Sequence, residues 1–197
     1  MITDLLAPMM EQLEQGFGWS ASEVGLFHSS YVWINVFLFV LILGGMILDK
    51  IGTRITGVAS CLMMIIGCAI KYYAIAHPDH FVGTFLGVKS QVITTCIGFA
   101  IFGCGAEMAG ITVTKVIVRW FTGYEIALAL GLQVAVARIG TALAMSTAIP
   151  ISNYFGSVSA PLLIGLFGLC IGLISYLVSC VMDKKLDETI DETDQTH

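Results

Sequence analysis

Residues 44–54 read "GGMILDKIGTR". Before them runs "VWINVFLFVLIL" (32–43), and after them "GVASCLMMIIGCAI" (57–70), both apolar enough to belong inside a bilayer. An Asp, a Lys, an Arg and glycines between two such passages describe a chain that crosses the membrane, reverses within a few residues and crosses back. Gly52 supplies the backbone freedom that a tight reversal needs. Lys50 and Arg54 hold the turn at the cytoplasmic face, where transmembrane proteins concentrate their basic residues.

The rest of the chain fits that reading. Of its 197 residues 57% are hydrophobic and only 12% charged, against about 25% charged in an ordinary soluble domain. Apolar runs of roughly 20 residues, the length that spans a bilayer, fall at 24–48, 55–76, 92–118, 126–151 and 161–182. Short links between them predict antiparallel neighbours, and so an all-α membrane bundle. Lys50, Arg54, Lys115, Arg119, Lys184 and Lys185 share one set of ends, while Lys71 and Lys89 lie at the other. The first set faces the cytoplasm, which puts residues 1–23 outside and the acidic tail 183–197 inside. That tail is too poor in apolar residues to pack and is expected to be disordered. Lys71, Tyr72 and Tyr73 close the second span, where snorkelling and aromatic anchoring account for them.

Residues 1–23, with "DLLAPMMEQLEQGFGWSASEVG", read as the outer end of an earlier helix followed by an amphipathic loop. Most of that preceding transmembrane helix is expected to be absent. Ser20 and Glu23 have the spacing of a capping box for the first span. The six cysteines lie in or beside apolar runs and form no CxxC pair, so they read as packing residues. The "HPDH" of residues 77–80 reads as a polar turn, and no metal or cofactor is expected. No basic run points to nucleic acid.

Gly45, Asp49, Lys50, Gly52 and Arg54 match the pattern G-x-x-x-D-[RK]-x-G-x-[RK]. This resembles the signature of the cytoplasmic loop between helices two and three of the major facilitator superfamily. The resemblance implies that the five spans are helices two to six of a six-helix N-terminal half, with a C-terminal half missing. It further implies that Asp49 meets a helix N-terminus of that other half and helps to lock the outward-open state. A second stretch, "RWFTGYEIALALGLQVAVARIGTALA" (119–144), resembles the link between helices four and five in the branch containing the lysosomal dipeptide transporters. The fifth helix lacks the Gly-Pro signature of drug–proton antiporters.

Two charges lie inside spans. Glu107 is eleven residues before the cytoplasmic end of its run and Arg138 twelve residues into the next, so both sit about 16–18 Å deep at ~1.5 Å per residue. Ionisable groups at that depth normally face a partner or a cavity. One reading is a buried salt bridge that fixes helix register. The other is a pair kept loose for a zwitterion, with Arg138 gripping a carboxylate and Glu107 receiving an ammonium group; the resemblance favours this one. Glu107 is also where a coupled proton could ride. His28, Tyr31 and Asn35 fall on one helical face and either line the same cavity or bond between helices. The expected function is alternating-access transport of a dipeptide, amino acid or organic anion, in the plasma membrane (the inner membrane if bacterial) or alternatively a lysosomal one. The competing reading is a non-transporting subunit that assembles with itself or with a separately encoded half. No enzymatic chemistry is expected, because no nucleophile–base arrangement is present.

Overall fold

The computed structural model describes residues 18–37, 40–81, 83–85 and 87–194. Residues 1–17, which carry the expected end of a preceding helix, lie outside the described residues. Helix α1 spans Ala21–Phe37 and α2 Val40–Ile51, together the first expected crossing. Helix α3 is Thr53–Ala76, α4 Ser90–Trp120, α5 Tyr124–Phe155 and α6 Ala160–Asp194. The last four are each long and apolar enough to cross a membrane. The connection from α3 to α4, at the end of the bundle away from the hinge, is more ordered than a plain link. It holds a 3-10 turn, Pro78–Phe81, and a small antiparallel hairpin of β1 (Thr84–Phe85) and β2 (Val88–Lys89).

Local chemistry sets the boundaries. At the start of α1 the Ser20 amide and hydroxyl donate to Glu23 Oε2, at 2.8 and 3.0 Å, and the Glu23 amide donates back to Ser20 Oγ at 3.3 Å. This is the reciprocal capping box. The Lys89 amide adds a bond to Glu23 Oε1, so the same carboxylate ties α1 to the start of α4. At the other end of this first crossing, Gly52 takes φ +92°, a conformation closed to residues with a Cβ, and lies between α2 and α3.

The tightest seam joins α3 to α4. A Cβ on Gly67 would sit 2.5 Å from the Phe102 nitrogen and 2.6 Å from the Gly98 oxygen, and one on Gly105 2.8 Å from the Ser60 oxygen. Backbone meets backbone there, the close approach that small residues permit between membrane helices. The outer core is Trp19, Phe27, Ile75, Val92, Phe99, Ala148 and Leu162, with Cys68 and Phe102 below it. A clasp closes the outer end: Trp19 Nε1 donates to Gln91 Oε1 at 3.2 Å, and Gln91 Nε2 donates to the Ala74 carbonyl at 3.0 Å. Helix α5 stands apart and buries only Ala148 and Ser152.

One expectation is corrected. The acidic tail does not lose its structure at residue 183; α6 continues as helix to Asp194. Low apolar content removes packing but not helicity. Extending an existing helix costs little, since each added residue closes one more bond, and Lys, Leu and Glu are good helix formers.

Two measurements probe this architecture. Gly67→Ala forces α3 from α4 and is expected to cost about 1–3 kcal/mol, read as a lower unfolding midpoint in detergent. Gly131→Ala on α5, where a Cβ meets nothing within 4 Å, is expected to be neutral or to gain up to ~1 kcal/mol. The amide of Ser20, then that of Lys89, hold the Glu23 carboxyl below its ordinary range. Its stabilising contribution is therefore complete above about pH 4.3 and is lost as pH falls through the lowered folded value. The stability advantage of wild type over Glu23→Gln should shrink over that window in a pH series of unfolding midpoints.

Candidate functional site

At the α2–α3 hinge, the residues of the motif have separate fates. Gly52 makes the turn. Gly45 is not closely packed, whereas its neighbour Gly44 faces α4, where a Cβ would come 3.3 Å from Met108 Cγ. Lys50 is exposed. Asp49 Oδ1 pairs with Lys115 Nζ at 2.6 Å across to α4, with the Asp49 side chain still 75% exposed. Arg54 Nε bonds Asp183 Oδ2 at 2.8 Å. That carboxylate also takes Arg119 Nη1 at 3.5 Å and the Trp120 indole N–H at 3.3 Å. Asp183 is thus a buried acid joining the start of α3, the end of α4 and α6. Beside it lies a cleft of about 230 Å³ lined by Thr53, Trp120, Tyr176 and Cys180 among others, and Tyr176 OH donates to the Thr53 carbonyl at 2.8 Å.

Sequence reasoning passed over Asp183 as the first residue of a disordered tail. A signal was there: α6 ends on the same face as the α2–α3 hinge, so its first acid meets the basic residues gathered there.

At mid-depth, Tyr31 OH on α1 donates to Glu107 Oε1 on α4 at 2.7 Å. The ring of Tyr31 packs on Phe99, 5.5 Å between centroids, and Phe99 stacks on Phe27 at 4.7 Å. His28 stands edge-on to Phe27 at 5.6 Å, and its Nε2 is buried without a hydrogen-bond partner among the described residues. Asn35 lies on α1, but its side chain is outside the described residues. Glu107 is thirteen residues before Trp120, and Arg138 fourteen after Tyr124, so both lie about 20 Å from the ends of α4 and α5 that the short α4–α5 link joins. They are not joined. Among the described residues Arg138 is exposed on α5 and makes no ion pair or hydrogen bond, while the Glu107 carboxylate is held by Tyr31. Thr141 satisfies itself on the Ala137 carbonyl at 3.1 Å. A second cleft of about 510 Å³, between α3, α5 and α6, is lined by Met64, Gly140, Ala144, Gly168 and Gly172 among others; it does not touch Glu107 or Arg138.

Lys71 overturns the snorkelling expectation. Its side chain has 0% exposure, and Nζ lies 4.3 Å from the Phe102 ring centre and 4.9 Å from that of Phe99. The reason is the seam: one turn earlier Gly67 brings α3 onto α4, and Lys71 on the same helix is carried under the outer clasp with no path to water. A lysine inside the bilayer costs on the order of 2.5–3.5 kcal/mol, and a desolvated cation over aromatic faces recovers about 2 kcal/mol of that.

The sequence model of the Major Facilitator Superfamily matches residues 1–194. The lysosomal dipeptide transporter MFSD1 of Danio rerio is 29% identical over 141 residues, covering 71% of this chain and 28% of that protein. The same transporter of Mus musculus is 28% identical over 141 residues, covering 71% of this chain and 27% of its own length. The matched stretch thus spans little more than a quarter of these curated relatives. No solved structure matches the chain.

The two ion pairs at the hinge end should separate on mutation. Asp183→Ala removes the buried acceptor shared by Arg54, Arg119 and the Trp120 N–H, and should cost about 1–3 kcal/mol of unfolding free energy. Lys115→Ala breaks an exposed pair and should cost less than ~1 kcal/mol. Unfolding midpoints of the two variants in one detergent measure the difference.

Proposed function

Since the chain belongs to the major facilitator superfamily, we propose that it forms part of a membrane transporter for a small zwitterionic or anionic solute, a dipeptide being the leading case. It acts together with a second helical half that closes the cavity, and the two halves rock around a midplane site. The observation that carries this reading is the arrangement at mid-depth. Glu107 is oriented by Tyr31, and Arg138 stands at the same level on another helix with its guanidinium uncommitted among the described residues.

The chemistry follows from those groups. Arg138 offers a planar fork to a carboxylate, and the free Glu107 oxygen accepts an ammonium group. His28 brings an unsatisfied ring nitrogen on the Tyr31 face of α1, and Asn35 shares that face by spacing. The likeness to dipeptide transporters supports the solute class. Glu107 is the group that would carry a coupled proton.

Asp49 keeps most of its surface open, which supports a role as acceptor for the N-terminus of a helix in the second half. The hinge then acts as a conformational latch, with Gly45, Lys50, Gly52 and Arg54 shaping it. The basic helix ends support a C-terminus on the cytoplasmic side, in a plasma membrane or, as the names of the relatives suggest, a lysosomal one.

Binding of labelled alanyl-alanine to the complete transporter in lipid tests the site. Arg138→Ala should weaken binding about 10–100-fold, the loss of charge-assisted bonds of ~1.5–3 kcal/mol. Full affinity in that variant would remove Arg138 from the site.

A further inference from the structure

Lys71 is a fully buried amine with no hydrogen-bond or ion-pair partner among the described residues, and it lies against two aromatic rings of the facing helix. A leucine or methionine would fill the same slot without an ionisable group. What the ammonium touches is therefore informative, and it touches Phe99. That ring is the hub of the mid-depth cluster: the Lys71 ammonium lies over it, Phe27 stacks on it at an interplanar angle of 18°, and Tyr31 packs on it. Tyr31 in turn donates to Glu107. A continuous chain of contacts runs from Lys71 through Phe99 and Tyr31 to the carboxylate.

We propose that Lys71 is a positioning residue for the mid-membrane site: through the Phe99 ring it holds Tyr31 in place to donate to Glu107. A phenyl ring stacked only against another phenyl can slide in its plane. An ammonium is attracted to the centre of the ring face, where the quadrupole is most negative, so it pins the ring laterally. Phe102, 4.3 Å from the same nitrogen, fixes the cation in turn. The backbone contact at Gly67 and Gly98 keeps α3 from drifting relative to both rings. Lys71 touches no solute; its meaning for transport rests on the reading of Glu107 as a binding residue.

The test uses the full chain in lipid nanodiscs and ultraviolet resonance Raman spectroscopy, whose tyrosine bands report whether a phenol donates a hydrogen bond. The chain has six tyrosines, so the difference between wild type and Tyr31→Phe isolates the Tyr31 signal. Lys71→Met, which keeps length and apolar volume, should lose the donor signature. Lys71→Arg, which restores a cation able to lie on aromatic faces, should keep it. Retention of the signature in Lys71→Met overturns the proposal, and so does its loss in both variants, because then space and not charge sets the ring. If Lys71→Met fails to fold by circular dichroism, Phe99→Leu decides: the signature should disappear with Lys71 intact, and its survival overturns the proposal. The readout needs no solute. Failure of alanyl-alanine to bind therefore counts against the transport reading alone.

Discussion

Gly67 of α3 and Gly98 of α4 lie backbone against backbone, and the rest of the bundle is arranged around that contact. In lipid there is no hydrophobic force to press helices together, so close packing must supply the cohesion. Glycines along the seam let α3 and α4 approach closely, and Ser60 against Gly105 continues it toward the hinge end. The approach decides what lies beside the seam. It buries Lys71, brings Phe99 and Phe102 over it, and gives α1 a fixed surface on which Phe27 and Tyr31 pack.

Polar groups in this protein occur in layers, each holding specific helices. The outer layer is Glu23 with Ser20 and Lys89, beside the Trp19–Gln91–Ala74 clasp. The middle layer is Tyr31 and Glu107. The inner layer is Asp183 with Arg54, Arg119 and Trp120, with the Asp49–Lys115 pair near it. Helices α1, α3 and α4 are thereby braced at several depths. Helix α5 is braced at none through its mid-span charge, and Arg138 remains uncommitted on a helix with an open surface.

Much of this was legible in the sequence, for identifiable reasons. Gly52 and the Ser20–Glu23 box are local devices, readable from spacing alone, and the four long apolar helices follow from the length of apolar runs. Contacts that depend on how two helices meet were less accessible. Lys71 was read from its distance to a helix end, which predicts snorkelling; the seam one turn away decides otherwise. The depths of Glu107 and Arg138 could be counted along the chain, but their azimuths could not, and azimuth gives the Glu107 carboxylate to Tyr31. Asp183 and the helical tail were lost to one mistake, equating low apolar content with absence of structure.

The clasp at the outer end and the acid at the inner end each engage an indole. Trp19 is buried against Gln91, and Trp120 donates to Asp183, while Trp33 is 58% exposed. Two native fluorophores are thus built into opposite faces of the bundle, each bonded to a group that must let go if its face loosens. Emission colour and quenching would then tell which side had opened, with no dye attached and the third indole as a steady background.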